Sequence, residues 1–288
     1  MNVYDTFSEW LYVEGKRPQT ITTYQTDVRL FYEAIRGEVP KDAAFSRVEW
    51  LRYLHTLQQQ YKITTINKKV NSMKVWGDYL VLQHVVTDNP VRLQTDRMKL
   101  AAGSEHHVDV LTDEQVAIVL AEVEKPKYRE RDRLMVYLLL YTAMRVSELV
   151  QLQWQAIDPI TRTLIVTGKG GKQRELVLRQ DVMAQLLHYQ THERARSPYV
   201  DSPYVLVSER AAAIHRDTVR RFLADLGKAV GFHLHPHLFR RTCATLLLKR
   251  GVPIVTVSKI LGHHSVDMTS KMYIQTSRED KQAAFDLL

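Results

Sequence analysis

The chain has 288 residues, room for two domains of about 150 residues each, and 45% apolar residues let each half build its own core. Lys and Arg number 40 against 32 Asp and Glu, a formal charge of +8 that points to a polyanionic partner, nucleic acid being the commonest. The single cysteine, Cys243, excludes an intramolecular disulfide and any zinc site built on several thiolates, and suits a reducing cytoplasm.

The opening stretch "MNVYDTFSEWLYVEG" carries Asp5, Glu9 and Glu14 and no basic start, so it does not read as a signal peptide. Residues 1–95 read as helices. In "TITTYQTDVRLFYEAI" the apolar residues Ile21, Tyr24, Val28, Phe31 and Ile35 recur at helical spacing and form one stripe. "RVEWLRYLHTL" repeats the theme, and the segment around Ile66, Val70, Met73 and Leu80 forms a third stripe. Lys68, Lys69 and Lys74 fall off that stripe; they read either as a solvated face or as contacts to DNA phosphates. Periodicity fades from residue 87, where Pro90 and later Gly103 appear, and residues 96–109 are expected to be an interdomain linker.

The second domain, residues 110–288, opens on "TDEQ", a capping box with Thr112 at the N-cap and Gln115 three residues on. "LMVYLLLYTAM", between Arg133 and Arg145, is too short to span a bilayer and reads as a buried helix. "RTLIVTGKGGKQRELVL" is a β-hairpin signal, two β-rich runs around a Gly/Lys turn. Helices are expected around 180–194, 215–229, 238–249, 253–261 and 278–287. The fold class is therefore mainly α with a small β component.

Several motifs carry chemistry. "TGKGGK" is not a phosphate loop, because no Ser or Thr follows Lys172; alone, Lys169 and Lys172 read as exposed turn lysines of no consequence, and at a DNA backbone they could reach a phosphate. The histidines His233, His235 and His237 alternate, yet Pro236 interrupts them and no carboxylate or thiol completes a ligand set, so no metal is expected there. His237 and Arg240, three apart at a helix start, share a face. Arg145, ending the apolar run, has either Glu148 or a phosphate as its acceptor. Attack on a phosphodiester builds negative charge that metal ions or fixed cations must meet. The chain offers Arg145, Lys169, His237, Arg240 and one of His263 or His264, in that order, ahead of Tyr273. A tyrosine titrates near 10 and needs such cations to act as a nucleophile; alone, Tyr273 reads as a core aromatic.

In this order the blocks "TAMRVSEL", "VTGKGGKQREL", "HPHLFRRTCATLLLKRG" and "ILGHHSVDMTSKMY" resemble the tyrosine recombinases, the phage-integrase family that includes the Xer proteins. The resemblance implies a helical core-binding domain at 1–95 and a mixed α/β catalytic domain with a subunit-docking tail at 110–288. The short N-terminal part is similar to stand-alone Xer-like or transposon-encoded TnpI-type resolvases. It further implies a site-specific recombinase that cuts and rejoins double-stranded DNA through a 3′-phosphotyrosyl intermediate, without metal, nucleotide or other cofactor. Such an enzyme works as a dimer on each site and a tetramer in the synapse, with no membrane, in a prokaryotic cytoplasm. By the same resemblance Tyr273 is the nucleophile, Arg145 and Arg240 clamp the phosphate, and Lys169 protonates the leaving oxygen. His237 assists proton transfer, and His263 or His264 bonds the phosphate. Ala143 stands where the family usually has Gly, with little expected effect, and Arg241 replaces a common His and adds charge. The family's spacing before the tyrosine selects His264, whereas the Leu-Gly-His signature selects His263, the expected one because the Leu-Gly turn fixes its position while the loop before Tyr273 can vary in length. A DNA-relaxing enzyme of the type IB topoisomerase kind is the alternative.

Overall fold

The computed structural model describes residues 3–39, 44–99, 109–168 and 171–273, without the side chains of residues 268 and 271–273. The chain divides into two compact units, residues 1–104 and 105–288.

The first unit is helical: α1 (Val3–Val13), α2 (Pro18–Arg36), α3 (Arg47–Gln60), α4 (Ile63–Leu82) and the short α5 (Leu93–Asp96). The stripes behave as their spacing requires, with Val28, Phe31, Ile66, Val70, Met73 and Leu80 all buried. Aromatic rings fill the centre, where Phe7 meets Trp76 edge-on at 4.8 Å and the Trp76 indole N–H donates to the Tyr32 hydroxyl at 3.0 Å. A second capping box, unnoticed in the sequence, starts α3: Ser46 accepts from the Glu49 amide while Glu49 bonds back to the Ser46 amide.

Two findings correct the sequence reading of this half. Lys69 is not on a solvated face: it is buried, its ammonium 2.7 Å from the Asp27 carboxylate, which also accepts from Ser72. A charge this far from water stays ionised only because it is paired, so Lys69 is withdrawn as a phosphate contact. Residues 96–98, placed at the start of the linker, are tied into the first unit. Buried Asp96 accepts from Arg47, from the Trp50 indole at 2.7 Å and from the Arg92 amide at 2.8 Å. Against the upward push of burial, these bonds hold its carboxyl down at about 2. Asn67 bonds both backbone groups of Met98 at 2.9 Å.

The second unit runs α6 (Asp113–Val123), α7 (Glu130–Thr142) and α8 (Val146–Val150), then strands β1 (Ile157–Asp158), β2 (Thr163–Thr167) and β3 (Gln173–Val177). It continues with α9 (Gln180–Thr191), α10 (Arg216–Val230), α11 (Pro236–Lys249), α12 (Ile254–Leu261) and α13 (Val266–Tyr273). The strands form an antiparallel sheet in chain order, and β2 pairs with β3 from Thr163↔Val177 to Thr167↔Gln173. The capping box forms as read, Thr112 and Gln115 exchanging bonds at 3.0 and 3.2 Å. Helix α7 is apolar on all sides from Leu134 to Leu140 and becomes the central helix, packed by α9 and α11. The hairpin, the buried helix and the helix starts thus follow the sequence pattern; β1 and α13 were not anticipated. No described helix is long and apolar enough to cross a membrane.

Candidate active site

The ends of two helices meet at one buried guanidinium. Arg240, on the inner face of α11, is only 4% exposed; its Nη1 donates to the Ala143 carbonyl at 2.6 Å and its Nη2 to the Leu261 carbonyl. It thereby links the end of α7 to the end of α12. The surrounding apolar pocket is Ala143, Cys243, Ala244, Val257 and Leu261.

Past the end of α7 the chain reverses at Ala143, a non-glycine in the left-handed region at φ 51°. Left-handed backbone costs an L-residue about 1–2 kcal/mol, while the buried methyl returns about 0.8 kcal/mol and glycine would cost about 0.5–1 kcal/mol in chain entropy. The terms nearly cancel. We therefore expect Ala143→Gly to shift urea unfolding of the full chain by less than about 1 kcal/mol; a change beyond twice that would contradict this balance.

Two residues on, Arg145 caps α8. Its amide donates to Glu148 Oε2 at 2.7 Å and its guanidinium to Oε1 at 2.9 Å, with the Arg145 side chain 34% exposed. Glu148 holds a second arginine, Arg174 of β3, at 2.8 and 3.1 Å, and Arg174 Nε also reaches the Ile260 carbonyl at 2.7 Å. Burial pushes the Glu148 carboxyl up, but the bond to Arg174, then the Arg145 amide and both positive charges, bring it below its ordinary range. Sequence reasoning offered Glu148 only as a partner for Arg145 and missed Arg174. The missing signal was present in the strand alternation, since Arg174 shares a face with buried Leu176 and Leu178. A charge on the core face of a strand needs a partner.

Helix α12 ends in a Schellman turn. Gly262, at φ 63°, donates to the Lys259 carbonyl at 2.9 Å, and the His263 amide donates to the Ser258 carbonyl at 3.1 Å. A Cβ at Gly262 would lie 3.1 Å from Arg174 Cδ, so glycine serves both the turn and the close approach. His263 is thereby fixed in place, and its Nδ1 lies 2.8 Å from the hydroxyl of buried Thr269, one turn before Tyr273 in α13. Burial first, then the guanidiniums of Arg240, Arg145 and Arg174, push the His263 imidazole down to about 4. His264 is exposed and falls in the link to α13.

His237 sits exposed in the first turn of α11, and its pKa is lowered by partial desolvation and then by Arg240, Arg241, Arg145 and Arg220. The site is thus a convergence of Arg145, Arg240, His237 and His263, braced by Glu148 and Arg174. It can bind and polarise a phosphodiester.

The sequence model of the phage integrase family matches residues 109–280, more than half of the chain. The chain belongs to the phage integrase family. It is 31% identical over 286 residues to the tyrosine recombinase XerA of Pyrococcus furiosus, covering 98% of this chain and 92% of that one. It is 28% identical to the XerD tyrosine recombinase of Shewanella oneidensis over 271 residues, covering 92% of this chain and 88% of that one. The fold matches the Tn1549 transposon integrase in complex with transposon right end DNA, with a TM-score of 0.74, 18% identity and coverage of 100% and 99% of the two chains. It also matches the XerH site-specific recombinase bound to a palindromic difH substrate, with a TM-score of 0.76, 18% identity and coverage of 93% and 79%. These relatives do not favour the topoisomerase alternative.

The other residues expected at this integrase-family site fall as follows. Lys169 and the tail 274–288 lie outside the described residues, and Tyr273 is the last residue of α13, its side chain likewise outside them. Lys172 is exposed at the hairpin turn, where its carbonyl accepts from the Gly168 amide at 2.7 Å, and Arg241 is half-buried beside His237. Lys68 is exposed, whereas Lys74 is engaged by Asp78 one turn on. Of the three alternating histidines, His235 caps α11, its Nδ1 accepting from the Leu238 amide at 3.2 Å.

The depressed histidine has a consequence for stability. His263 titrates at about 4 in the fold against an ordinary 6.5. Between those values the unfolded chain binds the extra proton, so the contribution is complete above pH 6.5 and is lost as pH falls toward 4. His235 and His237 are lowered too and act in the same direction, whereas Asp96 acts only below its ordinary 3.8. Denaturation followed from pH 7 to 4.5 should show falling stability, with a shallower slope for His263→Asn. An unchanged slope would mean that His263 does not titrate as described.

Proposed function

We propose that this recombinase cuts and rejoins double-stranded DNA at specific sites, with Tyr273 as nucleophile and the Arg145–Arg240–His263 convergence as its phosphate clamp. The observation that carries the assignment is the buried Arg240, fixed to two backbone carbonyls beside Arg145 and His263, next to the helix that ends at Tyr273. In this reading the Tyr273 oxygen attacks the scissile phosphorus and becomes linked to the 3′-phosphate. His237 assists removal of the phenolic proton, and Lys169 protonates the departing 5′ oxygen. A 5′-hydroxyl from a partner strand then attacks the phosphotyrosine and releases the phenol. Each bond broken is replaced by one of the same kind, so the exchange runs without ATP. The charge developing on the nonbridging oxygens is met by guanidiniums. His263 is favoured over His264 for the histidine contact, because it faces Arg145 and Arg240.

The partner is DNA at recombination sites, with a dimer on each site and a tetramer in the synapse, the tail beyond 278 docking onto a neighbouring subunit. The first unit, through Met98, and residues 110–288 act as the core-binding and catalytic domains, working on nucleoid or plasmid DNA in a prokaryotic cytoplasm to resolve or integrate mobile elements. Lys68 and Lys172, with Arg241 and Lys74, remain the proposed phosphate contacts outside the clamp.

The test is covalent trapping on DNA flanking the encoding gene, read as a protease-sensitive DNA species on a denaturing gel in the presence of chelator. Recovery of a complex at one position on one strand is the expected result; loss of trapping on chelation would refute the metal-free reading. Binding to the same DNA should weaken by about 10³–10⁵-fold between 50 and 200 mM salt if six to ten phosphates are contacted, as counterions are released. A flat salt response would rule out the phosphate-clamp reading.

A further inference from the structure

At the far end of α7 from Arg145 lies a cluster that the recombination chemistry does not use. Glu130 starts α7, His188 lies one turn before the end of α9, and His192 follows that end. A donor atom from each lies within 4.8 Å of the others. We propose that Glu130, His188 and His192 form a binding site for one divalent transition-metal ion, zinc being the best fit.

Four features support the assignment. His188 in the last turn of α9 and His192 at its C-cap are four apart, and the chain end brings their imidazoles together. Their rings lie 4.1 Å apart, and His188 Nε2 is already 2.9 Å from Glu130 Oε1. A tetrahedral ion with bonds of about 2.0 Å needs donors about 3.3 Å apart, within reach of small side-chain rotations. The outer contacts also orient the donors. His192 Nδ1 lies 2.9 Å from both the His188 carbonyl and the Thr191 hydroxyl; a proton on Nδ1, donated to the carbonyl, would leave the Nε2 lone pair for an ion. Glu130 Oε2 accepts from the Glu193 amide at 3.4 Å, leaving Oε1 turned toward His188.

The surrounding charges do not repel a cation outright. Arg129 is paired with Glu209, Arg131 with Asp132 and Lys127 with Glu122, while Glu193 adds a carboxylate and Arg196 a positive charge to the cleft that Glu130 and His192 line. Two imidazoles and one carboxylate leave a fourth position for water. Imidazole donors favour zinc, copper or nickel over magnesium, which prefers oxygen.

An ion here would join the start of α7 to the end of α9. Helix α7 is about 20 Å long at 1.5 Å per residue, and its other end leads into Ala143 and Arg145. The site therefore stabilises the helix that presents the clamp without touching DNA chemistry.

The experiment is calorimetric titration of the untagged full-length chain with zinc chloride, with magnesium chloride as control, together with thermal unfolding. One ion per chain should bind, and Tm should rise by about 5–10 °C when free zinc exceeds Kd a hundredfold. His192→Ala should weaken binding by more than about 100-fold, beyond the loss expected from an outer contact. The same variant should leave DNA cleavage unchanged, which also reports that it folds. Zinc binding that survives in the His188→Ala/His192→Ala double variant, or that follows His233→Ala instead, would overturn the proposal. So would the absence of saturable binding, or an equal response to magnesium.

Discussion

Tyr273→Phe leaves a protein that still binds its DNA site but forms no covalent complex with it. The substitution removes one oxygen, keeps the ring and leaves the +8 charge that draws DNA unchanged. Only the nucleophile is lost. Removal of a nucleophile acts on the scale of 10⁶-fold, roughly, in the chemical step, which places residual cleavage below detection. Binding measured by mobility shift should stay within about threefold of the parent, since phosphate contacts supply the affinity. A phenylalanine variant that still trapped DNA covalently would remove Tyr273 from the mechanism and leave the clamp without its nucleophile.

The second large effect is expected at Glu148, a residue that touches no DNA in the proposed reaction. Its carboxylate is 4% exposed and holds Arg145 and Arg174, the latter 10% exposed. Glu148→Ala leaves two guanidiniums facing each other with no anion between them. Breaking a buried pair costs about 3–5 kcal/mol, largely through the charge left behind. For a unit of this size that is a Tm loss of roughly 6–20 °C. Arg145 would also lose the bonds that aim it, and a displacement of about 1 Å is enough for a 10²-fold loss in cleavage. The explanation can be separated from simple loss of packing. If the orphaned Arg174 charge is the cause, adding Arg174→Met to Glu148→Ala should recover much of the stability while cleavage stays low. A double variant less stable than Glu148→Ala would show that the charge argument is wrong.

Much of this molecule could be read before its fold was known, for identifiable reasons. Stripes such as Val28–Phe31 and Ile66–Val70–Met73 repeat at the helical period, and short-range rules govern them. The capping box at Thr112 and the hairpin around Gly168 are local chemistry of the same kind. The order of Arg145, His237, Arg240 and Tyr273 was picked out from the residue types that the proposed chemistry would need. What escaped was non-local. Lys69 is buried by Asp27, 42 residues earlier, and nothing near Lys69 announces it. Arg174 reaches the Ile260 carbonyl across 86 residues. Asp96 anchors a stretch that has no periodicity because polar bonds rather than apolar packing hold it. The expectation of His263 rests on the Leu-Gly turn before it, and that turn forms, with His263 near the arginines and His264 exposed.

The backbone bonds of Arg240 carry a last implication, for inheritance. A residue that only held phosphate could be discarded by a descendant that no longer recombines DNA. Arg240 also joins the carbonyls of Ala143 and Leu261, and so fastens together the loops on which Arg145 and His263 stand. Arg145, a third exposed, carries no comparable structural duty beyond Glu148. Relatives drifting toward inactivity should therefore shed Tyr273 or Arg145 first and keep Arg240 longest, so that a retained arginine at this position testifies to a folded domain and not to a working enzyme.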